Sequence, residues 1–511
     1  MDNVSEHLEH LVRVIPPSVL EWFQPDAKHV ILQAAALGLI SHLFFKTFEP
    51  SAIGFVLWTV VLAGGEFFLF NQDLAGVTLS NVAVLSVLLF LGVYLATLTL
   101  SIGFYRLFLN PLRRFPGDTL PALTKWQAFW VAKYGQTHHF FWAQHQKYGY
   151  YIRVGPNELS VADIDALPII HGNRSKFPKS PWYLKNINEP EPGLFSIMDW
   201  DEHKAPKDYD RIGQLVRAAG QIFETGERFD ASLWTELLAF DVMGDLGFGD
   251  SFHMLESGEL HHYLDFVHTA LKFMCTLAPV SWSMPLLSLV PVVKRTREVT
   301  ARFFAYGASR FKLRLAKGPV KNDVFGFLLS AREEGGLTDA KLESDARNVL
   351  LGGGDTTAVL MTRKPQDEVS GLFRDEPYDA RVVNTLGGII LDGKHVPKGT
   401  KINVHGWSVH HAPRNFARPE EFIPERWIED SGFKGVHNPS AFIPFSQGTY
   451  QCVGRRLALQ ESRMFLVEMF QNYDFQIAPE LDPKAYVVAT ESYLTITKPA
   501  LPVTVSKIVK T

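Results

Sequence analysis

The sequence predicts a mainly α-helical domain with small β-sheets, set behind an N-terminal membrane anchor. Three observations carry this. The first hundred residues hold three successive apolar runs; the stretch from Leu215 to Asn348 keeps a mostly helical pattern; short alternating strands bounded by turn residues stand at Tyr148–Asp163 and after Leu391. The 511 residues carry 46% hydrophobic side chains with 38 Phe and 30 Pro, which suits a large apolar interior with many turns. After the anchor, about 400 residues remain for one large domain.

The apolar runs are "HVILQAAALGLISHLFF" from His29, "SAIGFVLWTVVLAGGEFFLF" from Ser51 and "NVAVLSVLLFLGVYLATLTLSIGFY" from Asn81. Crossing the hydrocarbon takes roughly 20 apolar residues. The third run meets that easily, the second is long enough but carries Glu66, and the first is short. Up to three spans are therefore expected within 29–104. The other reading is a single span, the third run, with the first two lying in the interface. A carboxylate facing lipid is costly, so Glu66 is placed near an interface or between helices. The acidic start "MDNVSEHLEHL" does not resemble a cleaved signal peptide. Arg106, Arg113 and Arg114 follow the third run, which puts the main domain in the cytosol. With three spans, residues 1–28 are lumenal and the sequon at Asn3 is a glycosylation candidate. Residues 105–123 include "NPLRRFPGDTLPAL", where Pro111, Pro116 and Pro121 make a stiff hinge.

The main domain covers 124–511. "YGYYIRVGPNELSVAD" reads as a hairpin turning at Gly155–Asn157, and "TELLAFDVMGDLGFG" from Thr235 as the clearest helix. "LDGKHVPKGTKINVHGWSVH" reads as short strands with turns at Gly393 and Gly399, and "YLTITKPALPVTVSKI" returns to strand. A net charge of −4 lacks the basic excess of a nucleic-acid surface, so no nucleic-acid partner is expected. Two cysteines exclude a disulfide scaffold. Cys275 reads as a small buried apolar residue.

Two stretches carry chemistry. In "LTDAKLESDARNVLLGGGDTTAVLMTR", Thr338 can cap a helix, and Leu342, Ala346, Val349 and Leu350 share one face. Gly352, Gly353 and Gly354 inside that helix cost roughly 1 kcal/mol each relative to Ala. Such a run marks close packing of a neighbour, a fraying helix, or a ligand lying flat on the helix. Asp355, Thr356 and Thr357 follow; their side chains compete for backbone hydrogen bonds. This opens the ladder locally, and a helix bent there, with an acid and an alcohol at the bend, offers a proton path beside a ligand.

The second stretch is "FIPFSQGTYQCVGRRLALQESRMF". Gly448 and Gly454 bracket Cys452, and Val453, Leu457, Met464, Phe465 and Met469 recur at helical spacing after it. A lone cysteine is more often a buried structural thiol. A cysteine at a helix start, however, is drawn toward the thiolate and makes a soft ligand for iron. One Cys with no clustered His or Cys builds no zinc site, and no paired base marks a cysteine hydrolase. What remains is a ligand that brings its other bonds with it, as haem does.

These residues resemble the cytochrome P450 monooxygenases. "FSQGTYQCVG" is similar to the family's haem-binding loop, with Phe445, Gly448, Cys452 and Gly454 in the family positions. "GGGDTT" resembles the oxygen-binding helix, "PEEFIPERW" the meander before the loop, "NPLRRFPGD" the proline hinge and "DGKHVPKGTKINV" the small sheet ahead of the meander. The matches keep the family's order across 105–480. The resemblance implies a haem cofactor with Cys452 as axial thiolate to the iron and Phe445 shielding it. It implies Asp355 and Thr356 as the catalytic proton donors, and Gly353 with its neighbours as the space over the haem. Arg381 matches a position that pairs with a haem propionate. It also implies O2 and a hydrophobic small molecule as substrates, and a separate NADPH-dependent reductase as electron donor. Arg455 and Arg456 are candidate contacts for that reductase, or simply a solvated helix face. The acidic start with several spans resembles fungal members of the endoplasmic reticulum membrane, which work in secondary metabolism on compounds such as terpenoids.

The chain departs from the family pattern. No Glu-x-x-Arg stands between Asp355 and Cys452, so Arg426 of the meander is expected to lack its partners; a buried unpaired arginine is expensive. "DWDEHKAPKDYDRIGQLV" lacks the family's helix with a Trp and a basic residue toward the propionates, and Tyr450 stands where Arg or His is usual. The apparent gaps fall near 203–211 and 363–381; intact flanks suggest a misassigned reading frame or a decayed copy. Two other readings follow: a membrane protein that keeps the fold without stable haem, and a peroxide-driven haem enzyme. Retention of both Asp355 and Thr356 favours O2 over peroxide.

Overall fold

In the computed structural model of the chain, residues 27–48, 50–70, 81–172, 175, 177–180, 228–248, 250–316, 329, 338–362 and 381–508 are described. The sequon at Asn3, the gap near 203–211 and residues 363–380 of the second gap lie outside them. The chain divides into two compact units, one of residues up to Arg113 with Trp282–Val290, the other of Arg114–Ser281 and Pro291–Thr511.

The first unit is built on α1 (Ala27–Thr47), α2 (Ala52–Phe70) and α3 (Asn81–Phe104). Both α1 and α2 pack on α3. Gly38 permits the close approach of α1, since a Cβ there would stand 3.0 Å from the Tyr94 carbonyl oxygen. Tyr94 Oη donates to Ser41 Oγ at 3.1 Å, and Trp58 Nε1 donates to the same oxygen at 3.3 Å. Leu32, Leu39, Ile40, Leu43, Leu85 and Leu88 point outward, the pattern of a lipid-facing bundle. Glu66 is 4% exposed and so lies inside the unit, one of the two placements expected for it. Two stretches here, Ala27–Lys46 and Ala83–Leu109, are long and apolar enough to cross a membrane. The first run, expected to be short, gains length because its helix starts ahead of His29 and continues through Lys46. The second run forms α2, a helix of 19 residues.

Among the helices of the second unit are α4 (Thr137–Tyr148), α5 (Leu167–His171), α6 (Ala231–Phe248), α7 (His262–Leu277), α8 (Pro291–Ala316), α9 (Asp339–Thr362) and α10 (Arg455–Asn472). Its strands are β1 (Tyr151–Gly155), β2 (Glu158–Val161), β3 (Arg228–Asp230), β4 (Arg381–Val382), β5 (Ile389–Leu391), β6 (Lys394–Val396), β7 (Lys401–Val404), β8 (Tyr473–Ile477), β9 (Glu491–Tyr493), β10 (Thr495–Thr497) and β11 (Pro502–Lys507). One sheet has the order β1-β2-β7-β4, another β3-β11-β8, and β5-β6 and β9-β10 are two-stranded. The expected hairpin is there, β1 against β2. Its parallel partner β7, with Leu159 beside Ile402, comes from far along the chain.

Caps explain where the helices begin. Thr338 Oγ1 accepts the Lys341 N–H at 3.2 Å at the head of α9. Asp230 Oδ1 accepts from Ser232 at 2.9 Å and from Leu501 at 2.8 Å, which ties the start of α6 to the C-terminal sheet. The core gathers Leu237, Phe240, Met243, Tyr263, Val267, Phe303, Leu342, Ala346 and Phe465, from α6 to α10. Cys275 is 1% exposed within it, as its apolar setting implies. The stretch His262–Leu287 is also long and apolar enough to span a membrane, but α7 gives Tyr263, Leu264, Val267, Ala270 and Leu271 to this core.

Candidate functional site

Cys452 stands two residues ahead of Gly454, the N-cap of α10. Its N–H donates to the Phe445 carbonyl at 2.8 Å, which closes the loop between them. Within the loop Ser446 has φ 55° and Gly448 φ 74°. A Cβ at Gly448 would collide with the His171 carbonyl at the end of α5, so the turn requires glycine twice over. Phe445 is buried; Cys452 is half-buried and free of any disulfide. A Cβ at Gly454 would come 3.8 Å from the Cys452 Sγ, so glycine keeps that side of the sulfur bare. Arg455 and Arg456 are exposed at the first turn of α10, with the Arg455 guanidinium 5.9 Å from the Phe445 ring.

Beside the loop two cations are buried. Arg381 is 0% exposed and Lys179 3%; a β-bridge joins their backbones. Both side chains lie over the Tyr450 ring, at 4.5 Å for the guanidinium and 5.0 Å for the ammonium. Two like charges gathered out of water favour an anion beside them. Tyr450, which departs from the expected Arg or His, is the ring on which they converge. Lys179 carries no motif and was invisible in the sequence.

On α9 the glycines separate into two roles. A Cβ at Gly353 would collide with Met243, and one at Gly354 would stand 2.8 Å from the Phe240 ring. Both partners are on α6, so close helix packing explains these two. Gly352 meets nothing within 4 Å. α9 runs unbroken through the run, and Thr356 Oγ1 donates back to the Gly352 carbonyl. Asp355 is 5% exposed; burial, then the Glu236 charge, raise it above the ordinary carboxylate range. Thr357 shares a hydrogen bond with Glu461 of α10, a carboxyl that burial pushes up to about 8. Glu461 is therefore neutral at pH 7.

The meander arginine is better served than expected. Arg426, 5% exposed, donates from Nη1 to the Ala417 carbonyl at 2.9 Å and from Nη2 to the Arg418 and Glu421 carbonyls at 3.4 Å. Backbone carbonyls of the preceding loop thus satisfy it where no Glu-x-x-Arg is available.

The sequence profile of the cytochrome P450 family matches residues 210–362 and 380–502, more than half of the chain. The chain belongs to the cytochrome P450 family. It is similar to the cytochrome P450 monooxygenase FCK2 of Fusarium pseudograminearum, 28% identical over 92% of this chain and 91% of that one. It is also similar to the cytochrome P450 monooxygenase phqL of Penicillium fellutanum, 28% identical over 77% and 79%, and to the averantin hydroxylase of Dothistroma septosporum, 25% identical over 76% and 85%. The fold matches the crystal structure of the cytochrome P450DA heme domain with a TM-score of 0.56 over 73% of this chain and 93% of that one, at 17% identity. The chain is thus an oxidoreductase of the P450 monooxygenase class, of fungal type.

The family's cofactor is haem held through a cysteine thiolate. The residues present fit it: a half-buried thiol in the Phe445–Gly454 loop, and two buried cations, Arg381 and Lys179, of the charge that would hold its carboxylates. The profile match breaks between 362 and 380, the stretch in which this P450 lacks Glu-x-x-Arg.

Sequence reasoning missed a further group in this P450. Glu236 on α6, His268 on α7 and Asp355 on α9 bring their polar atoms within 4.8 Å of one another. His268 Nε2 lies 3.1 Å from Glu236 Oε1. The charges of Glu236, Asp355 and Asp230 act on the ammonium of Lys498, just beyond β10. Only the Asp of this set sits in a motif; the others come from three distant segments. An apolar cavity of about 30 Å³, lined by Val267, Leu271, Phe304, Asn348 and Leu351 among others, has room for one water.

Proposed function

We propose that this P450 inserts one atom of O2 into an apolar small molecule of fungal secondary metabolism, terpenoids among the candidate skeletons. The overall balance is substrate, O2, NADPH and a proton giving hydroxylated product, water and NADP⁺. Electrons come from a separate NADPH-dependent reductase. The apolar helices hold the protein on the endoplasmic reticulum membrane, with the haem domain in the cytosol; Arg106, Arg113 and Arg114 support that orientation.

The observation that carries the proposal is the loop that presents Cys452 at the head of α10. Haem, when bound, supplies the activation of O2 and the transfer of one oxygen atom. Cys452 would hold it through the thiolate. Phe445 keeps water from the sulfur, and Gly448 and Gly454 fix the loop and leave the sulfur accessible. Arg381 and Lys179 offer charge to the propionates. Thr356 Oγ1 holds the proton nearest the open space at Gly352, and Asp355 replaces it. Gly353 and Gly354 let α6 close against α9. Arg455 and Arg456, exposed next to the thiolate loop, are available to an acidic reductase surface. A relative that is by name a hydroxylase, of averantin, supports hydroxylation as the reaction.

The missing Glu-x-x-Arg supports the rival reading of a haem-free or impaired fold, but the carbonyl partners of Arg426 remove its main physical cost. The test is the reduced carbon-monoxide difference spectrum of the full chain in membranes. A strongly red-shifted Soret band is expected for the wild type, and its loss in Cys452→Ala. A Cys452→Ala protein with an unchanged band would remove Cys452 from the iron.

A further inference from the structure

We infer that protons reach Asp355 from solvent through His268 and Glu236, which makes these two positioning residues of the oxygen chemistry. The inference rests on the proposal that Asp355 and Thr356 feed protons to bound O2.

Geometry is the first argument. Three helices that share no local sequence, α6, α7 and α9, aim Glu236, His268 and Asp355 at one point, within 4.8 Å. Exposure falls along the series: the His268 side chain is 35% exposed, the Glu236 side chain 14%, and Asp355 5%. The group that meets solvent is an imidazole, the one side chain that ordinarily gains and loses a proton near neutral pH. Its Nε2 is already 3.1 Å from the Glu236 carboxylate.

The surroundings keep the carboxyls able to exchange protons. Asp355 faces Glu236 from α6, His268 from α7, and the Lys498 ammonium, and it takes a hydrogen bond from Thr495 of β10. Asp265 of α7 adds its charge at His268, and Asp230 of β3 adds its own at Lys498. Burial lowers the proton affinity of His268, but the hydrogen bond and charge of Glu236 outweigh it. Asp355 adds Thr495 and Lys498 to the Glu236–His268 pair, so the cluster both ties β10 to the helices and sets a buried acid within reach of a solvent-facing imidazole. A proton path makes use of that reach.

The test compares His268→Gln with His268→Ala in the full chain, in membranes with an NADPH-dependent reductase. Gln keeps a nitrogen donor toward Glu236 but relays no proton; Ala loses both. The probe is O2 itself, with no organic substrate added. NADPH, a proton and O2 give NADP⁺ and hydrogen peroxide; a second NADPH and proton take the oxygen on to two waters. The water route needs more protons at the site, so starving the path raises peroxide released per NADPH consumed. Both variants should raise that ratio roughly tenfold, less than the roughly 10²–10⁴-fold of a direct general acid because they act one step away. In both, the pH dependence of the ratio around neutrality should flatten. A Gln variant that keeps the wild-type ratio and pH profile, with only Ala altered, would make the pair a clamp and overturn the inference. The reduced carbon-monoxide band separates the two claims. No shifted band in the wild type takes down the proposed function and this inference together; a normal band with an unmoved ratio in both variants overturns the inference alone.

Discussion

At Gly448 the backbone itself selects the residue. The left-handed φ of 74° costs any other side chain about 1–2 kcal/mol, and the His171 carbonyl leaves no room for a Cβ. Gly448→Ala should therefore destabilise the second unit by about 2–4 kcal/mol. It should also loosen the Cys452 loop, read as faster loss of haem to an acceptor protein; retention at the wild-type rate would mean the loop tolerates a Cβ. Glu461 makes a different prediction. Its folded value is about 8 against 4.5 for an ordinary Glu, so the folded chain holds one more proton than the unfolded chain between those values. Stability from this group is full below about pH 4.5 and declines as pH rises toward 8, by an amount on the order of 1–4 kcal/mol. Glu461→Gln should flatten the fall in melting temperature between pH 5.5 and 8; an equal fall in the variant would mean the carboxyl is not the source. The loop around Cys452 was legible because two glycines bracket a cysteine ahead of a helical pattern, whereas Phe445 entered only through the resemblance to the family. Glu461 and Lys179 were not, since burial and convergence on Tyr450 depend on chain neighbours far away.

Among the elements, α9 carries the most information. Its cap, its apolar face and its glycine run could all be read; close packing, one reading of the run, holds for Gly353 and Gly354, while Gly352 meets nothing within 4 Å. Which glycine does which depends on Met243 and Phe240 of α6, and no local pattern announces that pairing. Thr356 makes the element's own prediction. Its hydroxyl is tied to the Gly352 carbonyl, beside the open space. Thr356→Ala should keep the thiolate-type carbon-monoxide band while peroxide per NADPH rises roughly tenfold. An unaltered ratio would mean protons arrive by another route. The strands were legible one by one from alternation and turn glycines. Their assembly was not: β2 beside β7 joins residues far apart in sequence, and strand pairing at that separation is set by the core rather than by either strand.

For the molecule as a whole, composition and hydropathy were enough to separate an apolar N-terminal segment from a large second domain, and the order of motifs gave the family. The main physical objection from sequence was the missing Glu-x-x-Arg. It was drawn from the assumption that only side chains could satisfy Arg426, and three backbone carbonyls do so instead. What decides the central claim is whether this reading frame holds haem through Cys452. The measurement is the reduced carbon-monoxide difference spectrum of the full chain in membranes, beside Cys452→Ala. A strongly red-shifted Soret band in the wild type, absent from the variant, is the result expected. No band, or an unshifted one in the wild type, would contradict it.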